Sequence, residues 1–173
     1  MALIIGVDPG SRITGYGIIN ATGNRLEYVS CGCIRLPNVP HPERLKLIFD
    51  NLCHVIEEFC PQESAIEEVF LGKSVSSALK LGQARGAAML ACLHNDLSVA
   101  EYAPRKVKQA VVGNGNADKA QVQHMIKVLL GVSGDVQEDA ADALAIAICH
   151  ANTTSHLVKI AGAGSFRKSR LQL

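Results

Sequence analysis

The chain has 173 residues, of which 48% are hydrophobic, 19% charged and only 4% aromatic, with a formal net charge of +1. That length predicts one domain with a core of its own, needing neither disulfides nor a structural metal, and the composition excludes a disordered chain. Near-neutral charge names no partner, and the absence of Trp argues against a binding surface built mainly on stacked aromatics.

Residues 2–8 are a nearly continuous apolar run ending at Asp8, as a central strand covered on both faces requires. This opening lacks the basic start of a secretory leader, and no stretch reaches the ~18 apolar residues of a membrane span, so a cytosolic chain with no membrane partner is expected. Asp8-Pro9-Gly10-Ser11 reads as a turn, with proline fixing φ and glycine accepting a positive one. Strand-like stretches over 14–20 and 25–34, joined by a turn at Ala21-Thr22-Gly23-Asn24, complete an antiparallel meander. Leu45, Ile48, Leu52, Val55 and Phe59 recur at helical spacing, so 42–59 is an amphipathic helix with Pro42 in its first turn and Pro61 beyond its end.

Ser64 to Phe70 is a short strand. A helix over 74–93 begins at a Ser74 cap. Its Leu79, Gly82, Gly86, Leu90 and Leu93 share a face on which the glycines permit close approach to a neighbour. Val99–Tyr102 is a strand, and Pro104 starts a basic helix that stops at Gly113. Asn116 is expected to cap a helix over 117–130, with Val122, Ile126 and Leu129 inward and Gly131 ending it; a last helix covers about 136–150. Strands and helices in this order imply a sheet with helices on both faces, the 42–59 and 74–93 helices serving as crossovers. The segment 153–173, with Lys159, Arg167, Lys168 and Arg170 and no acid, is expected to be a mobile basic tail beyond a domain at 1–152.

Six cysteines (31, 33, 53, 60, 92 and 149) form no CxxC pair, and reduced, packed thiols are expected rather than disulfides or metal ligands. Cys31 and Cys33 share a strand face. The six histidines show no metal-binding spacing and read as solvent-facing or packed groups.

Acids are distributed differently. The segment 132–150 holds Asp135, Glu138, Asp139 and Asp142 and no Lys or Arg. Asp139 and Asp142, three residues apart, stack on one helix face that Ile146 and Cys149 continue, whereas a solvated helix scatters its acids away from the apolar stripe. Asp8 ends a central strand. Glu67 and Glu68 lie on opposite sides of another, and charge alone does not choose between them. Each acid has a plain structural use, as a turn cap, a sheet-edge group or a helix-dipole partner. Converged in one place they cannot all stay ionised and dry, and a divalent cation resolves the conflict. All-oxygen ligands favour Mg²⁺ or Mn²⁺ over Zn²⁺. A pair of such ions suits phosphodiester cleavage, one activating water and the other stabilising the leaving oxygen.

The basic complement lies between 105 and 127, where Arg105, Lys106, Lys108, Lys119 and Lys127 face the single acid Asp118. Basic segments beside an acidic pocket fit a polyanion held across a metal site. Gly113-Asn114-Gly115-Asn116 precedes a helix start and reads equally as a phosphate cradle or a plain turn.

Gly6-Val7-Asp8-Pro9-Gly10-Ser11 followed by Thr14-Gly15-Tyr16-Gly17 closely resembles the opening of the RuvC Holliday-junction resolvases. So do Ala65-Ile66-Glu67-Glu68-Val69-Phe70, Ala78-Leu79-Lys80-Leu81-Gly82-Gln83-Ala84-Arg85-Gly86 and Asp139-Ala140-Ala141-Asp142-Ala143-Leu144-Ala145. The likeness runs over about 1–150. It implies a ribonuclease H-like α/β fold: a five-stranded mixed sheet, order 3-2-1-4-5, strand 2 antiparallel, flanked by helices. It also implies metal-binding catalytic carboxylates at Asp8, Glu67, Asp139 and Asp142, so the motif selects Glu67 over Glu68. Phe70 matches an aromatic placed against junction bases, and Lys108 and Lys119 match lysines near the scissile DNA.

The activity implied is a Mg²⁺-dependent homodimeric endonuclease, with two ions per subunit and Mn²⁺ able to substitute. It makes symmetric nicks in four-way DNA junctions during recombination and repair, leaves 5′-phosphate and 3′-hydroxyl ends, and works with the RuvA–RuvB branch-migration machine. The 74–93 helix is the candidate dimer contact, packing of that helix on its own sheet being the alternative. A nuclease of the same fold acting on structured RNA shares the strand-end Asp but not the Asp139–Asp142 block. A catalytically silent junction binder would lack one of the acids, and a sugar-kinase-type ATPase needs far more chain.

Overall fold

The computed structural model describes residues 1–68 and 74–169. Three strands, β1 (Ala2–Asp8), β2 (Ile13–Thr22) and β3 (Arg25–Arg35), run as an antiparallel meander. β4 (Glu63–Glu67) and β5 (Val99–Tyr102) add in parallel on the other side of β1, giving the order β3-β2-β1-β4-β5. The crossovers are α1 (His41–Phe59) and α2 (Val75–His94), after which come α3 (Pro104–Val112), α4 (Lys119–Leu130) and α5 (Glu138–Ser169). The expected fold class and strand order are found.

The two faces of the sheet carry separate cores, sorted by the two-residue alternation of strands. Ile5, Val7, Ile18 and Ile66 pack under α1 and α2 with Ile48, Leu52, Ala84 and Ala88. Ile4, Ile19, Ala65 and Tyr102 pack under α3, α4 and α5 with Val107, Val122, Ile126 and Leu144. β1 is buried on both sides, as its unbroken apolar run requires.

Several boundaries differ from the sequence reading. β4 stops at Glu67, Glu68 already lies outside the strand, and the rest of the expected continuation, 69–70, falls outside the described residues. Asp118, not Asn116, caps α4: its side chain accepts from Gln121 N–H while Gln121 Oε1 accepts from Asp118 N–H, a reciprocal box that a lone Asn116 cannot match. Leu130 is buried in place of the expected Leu129, because Val122, Ile126 and Leu130 stand in one row at i, i+4 and i+8 and this row faces the core. α5 does not end near 150 but runs on to Ser169. No Pro or Gly interrupts 151–161, and Thr153 and Thr154 return their hydroxyls to the Cys149 and His150 carbonyls, at 2.8 and 3.1 Å. All six cysteines are free thiols: Cys53, Cys92 and Cys149 are buried and Cys31 and Cys33 half-buried, whereas Cys60, just past the end of α1, is exposed rather than packed.

Candidate active site

Asp8 closes β1 and Glu67 closes β4, and these are parallel neighbours with Val7 beside Ile66. Both carboxylates therefore leave the same end of the sheet. Ile4 and Ala65 belong to the α5 side, so Asp8 and Glu67, an even number of residues further on, belong there too. Glu68 is exposed.

The other two carboxylates arrive on α5, and glycines decide how close that helix comes. A Cβ on Gly15 would stand 2.0 Å from the carbonyl oxygen of Asp139, and one on Gly6 would stand 2.1 Å from that of Ala143. Gly17 is confined less severely, 2.7 Å from Leu144 N. Gly15 pairs with Asp8 across the ladder and Gly17 with Gly6, so the three form one bare floor. Helix backbone lies directly on strand backbone there, which brings the first turns of α5 within electrostatic reach of Asp8.

The charges register this convergence. Burial, followed by the charges of Asp142, Glu67 and Asp139, pushes the Asp8 carboxyl up to about 7, with Lys119 opposing. Burial, then the Asp142 charge, raises Glu67 against the pull of Lys108 and Lys119. Asp142 is also raised by burial, again opposed by Lys119. Asp135 and Glu138 stay at the surface; Asp135 pairs with Lys127 at 3.4 Å, so the acids of this segment split into two inside and two outside.

Lys119 stands at the first position of α4, where the helix dipole disfavours a cation. Its Nζ lies 3.1 Å from Asp142 Oδ2 and also contacts Glu138 Oε1. Burial pushes the ammonium pKa down, but the bonds to those two carboxylates outweigh it and the net shift is upward. Lys108, Lys119, Glu67 and Asp142 line one cleft of about 260 Å³, with Val107 and Val122 as its apolar wall.

The structure thus gathers Asp8, Glu67, Asp139, Asp142, Lys108 and Lys119. Phe70 lies outside the described residues. Among the described residues no group of three His, Cys, Asp or Glu is arranged to hold a metal ion, and the Lys119 ammonium is what balances Asp142. The donor set, carboxylate oxygens of which three are held above their ordinary pKa, nonetheless fits a hard divalent cation. The phosphate-cradle reading of 113–116 gives way to the turn: Asn116 N–H donates to Asn114 Oδ1 at 3.0 Å, and Ala117 N–H to the Asn114 carbonyl.

Two features are not evident from the sequence. Arg85, there only one residue of a family motif, donates from Nε to the Glu67 carbonyl at 2.9 Å. The available signal is a lone arginine among small residues, Ala84 and Gly86-Ala87-Ala88. His150 is buried between Glu63 Oε2 and Tyr102 Oη, each at 2.8 Å, tying both parallel strands to α5.

Residues 4–150 match the family described as crossover junction endodeoxyribonuclease RuvC. A protein of that name from Teredinibacter turnerae is 60% identical over 98% of this chain and 99% of its own length. One from Saccharophagus degradans is 56% identical over 99% of each. Among solved structures, the RuvC of T. thermophilus in complex with a Holliday junction substrate superposes with a TM-score of 0.84 at 31% identity, covering 90% of this chain and 96% of that one.

Proposed function

The chain belongs to the RuvC family of crossover junction endodeoxyribonucleases and is a Holliday junction resolvase, and from that premise we propose that Asp8, Glu67, Asp139 and Asp142 hold Mg²⁺ while Lys108, Lys119 and Phe70 hold the DNA. The single observation that carries the reading is the placement of four carboxylates from β1, β4 and α5 at one sheet end, with Asp8 raised to about 7 by burial and by its three neighbours. Two ions per subunit, with Mn²⁺ able to replace Mg²⁺, are part of the proposal. Bound there, a divalent cation supplies Lewis acidity that lowers the pKa of water and offsets charge on the leaving oxygen.

The chain's own residues do the rest. A bound cation would favour the ionised form of Asp8, whose proton burial otherwise retains. Lys119 and Lys108 keep positive charge on the cleft wall, where a DNA phosphate competes with Asp142 and Glu138 for the Lys119 ammonium. Such phosphate contacts fix position without reading sequence. On this reading the cut leaves 5′-phosphate and 3′-hydroxyl ends.

A homodimer is supported by the outer face of α2, where Val75, Leu79, Leu90 and Leu93 are more than half exposed and Gly82 and Gly86 have open space above them. Partnership with RuvA–RuvB rests on the family alone. Six free thiols support a cytoplasmic setting, and among the described residues no helix is long and apolar enough to cross a membrane.

A mobile synthetic four-way junction tests the reading. Paired symmetric cuts are expected with Mg²⁺, binding without cuts in Ca²⁺, and neither cuts nor a metal effect in EDTA. Faster cleavage of a structured RNA than of the junction would overturn it. Lys119→Ala should weaken junction binding and lower the slope of log K against log salt by about 0.9, one phosphate contact. An unchanged slope would remove Lys119 from the DNA interface.

A further inference from the structure

The carboxylate of Glu67 can serve a metal only if the end of β4 holds still, and that end has little ladder left: Glu67 is the final strand residue. The peptide joining Glu67 to Glu68 is nevertheless fixed at both poles. Its N–H donates to the Tyr102 carbonyl at 2.9 Å, and its carbonyl accepts from Arg85 Nε at 2.9 Å. With both poles engaged the peptide plane cannot rotate, so ψ of Glu67 is set, and with it the direction in which the Cα–Cβ bond leaves the strand.

Arg85 is itself held. Its guanidinium forms an ion pair with Glu101 on β5, one residue before the Tyr102 that grips the other pole. Its side chain is only 17% exposed. Ala84 and Ala88, both fully buried, seat this part of α2 against the sheet. The planar guanidinium fork makes this double contact possible, since one nitrogen reaches a carbonyl while another reaches a carboxylate, a geometry a lysine point charge does not reproduce.

We propose that Arg85 is a positioning residue for the metal-binding carboxylate of Glu67, acting through the Glu67 carbonyl and braced by Glu101. The inference rests on the assignment of Glu67 as a metal ligand. Partners of this kind, which orient ligands without touching the metal, change metal affinity by about tenfold or more when removed.

The test measures Mg²⁺-dependent thermal stabilisation of the full chain without DNA, beside cleavage of a four-way junction across a Mg²⁺ titration. Arg85→Lys keeps the charge and loses the fork; Glu101→Gln removes the brace and leaves the Nε bond. For Arg85→Lys the expected result is a Mg²⁺ midpoint raised about tenfold in both readouts. Metal-free junction affinity should be unchanged, and cleavage should recover at high Mg²⁺. Glu101→Gln should shift the midpoint in the same direction by less. If Arg85→Lys titrates with Mg²⁺ as wild type does, the proposal is overturned. If it lowers cleavage equally at every Mg²⁺ concentration, in step with a lower metal-free Tm, Arg85 is merely structural. If wild type itself gains no stability from Mg²⁺, the metal site fails and this inference with it.

Discussion

Asp8→Asn should abolish junction cleavage, by about a thousandfold or more, while raising the stability of the metal-free protein at pH 8. The first effect follows from removing a carboxylate that faces three others: charge stabilisation by a bound metal is worth several kcal/mol, and each 1.4 kcal/mol is about tenfold in rate. The second follows from the same burial that makes the site. Asp8 titrates near 3.8 in the unfolded chain and at about 7 in the folded one. Between those values the folded state binds more protons than the unfolded state, so Asp8 makes stability fall as pH rises through that window, and above about 7 the cost is constant.

Asparagine carries no such cost. The variant should therefore show a flatter dependence of Tm on pH between 4 and 7, and a Tm higher than wild type by several degrees at pH 8 in EDTA, since ~1 kcal/mol is about 2–4 °C in a chain of this size. Glu67 and Asp142, also raised, leave some slope behind. Mg²⁺ should restore wild type more than the variant. Differential scanning calorimetry across pH, with EDTA or Mg²⁺, measures all of this. A wild-type Tm that climbs from pH 4 to 7 in parallel with the variant would mean Asp8 is not in a shared, dehydrated site.

Gly15→Ala should cost about 3 kcal/mol, at the upper end of ordinary overpacking. The added methyl group would meet the carbonyl oxygen and carbon of Asp139 at 2.0 and 2.4 Å, and these are helix backbone atoms that cannot swing aside as a side chain can. α5 must lift, and it carries Asp139 and Asp142 with it. Cleavage should therefore fall even at temperatures where the variant stays folded, with junction binding less affected. Gly6→Ala, aimed at Ala143 one turn further along, should destabilise comparably but displace the carboxylates less. Urea unfolding together with a cleavage assay at low temperature separates the two effects. Wild-type stability for Gly15→Ala would mean that the helix does not rest on the strand backbone.

Much of this molecule is written locally. The unbroken apolar run of 2–8 and the period-3.6 pattern of 42–59 mark elements, Ser74 and Gly113 mark ends, and short against long connections separate the antiparallel meander from the parallel crossovers. Acid types and spacing single out Asp139 with Asp142 and flag Asp8, while the choice of Glu67 over Glu68 needs the family motif. Where two local signals compete the reading fails, as at Asn116 against the Asp118–Gln121 box.

What the chain cannot reveal in one dimension is which backbone meets which. The glycines that read as places of close approach, Gly82 and Gly86, stand in open space, while the approach that builds the site occurs at Gly6, Gly15 and Gly17. An absent side chain has no periodicity or charge to announce its neighbour; only the crossing of α5 over β1 and β2 shows what fills the gap. The same holds for Arg85 and Glu67, eighteen residues apart and joined through a main-chain carbonyl that no residue type encodes. Sequence determined the charges and the elements that carry them, and tertiary packing determined the distances at which those charges act.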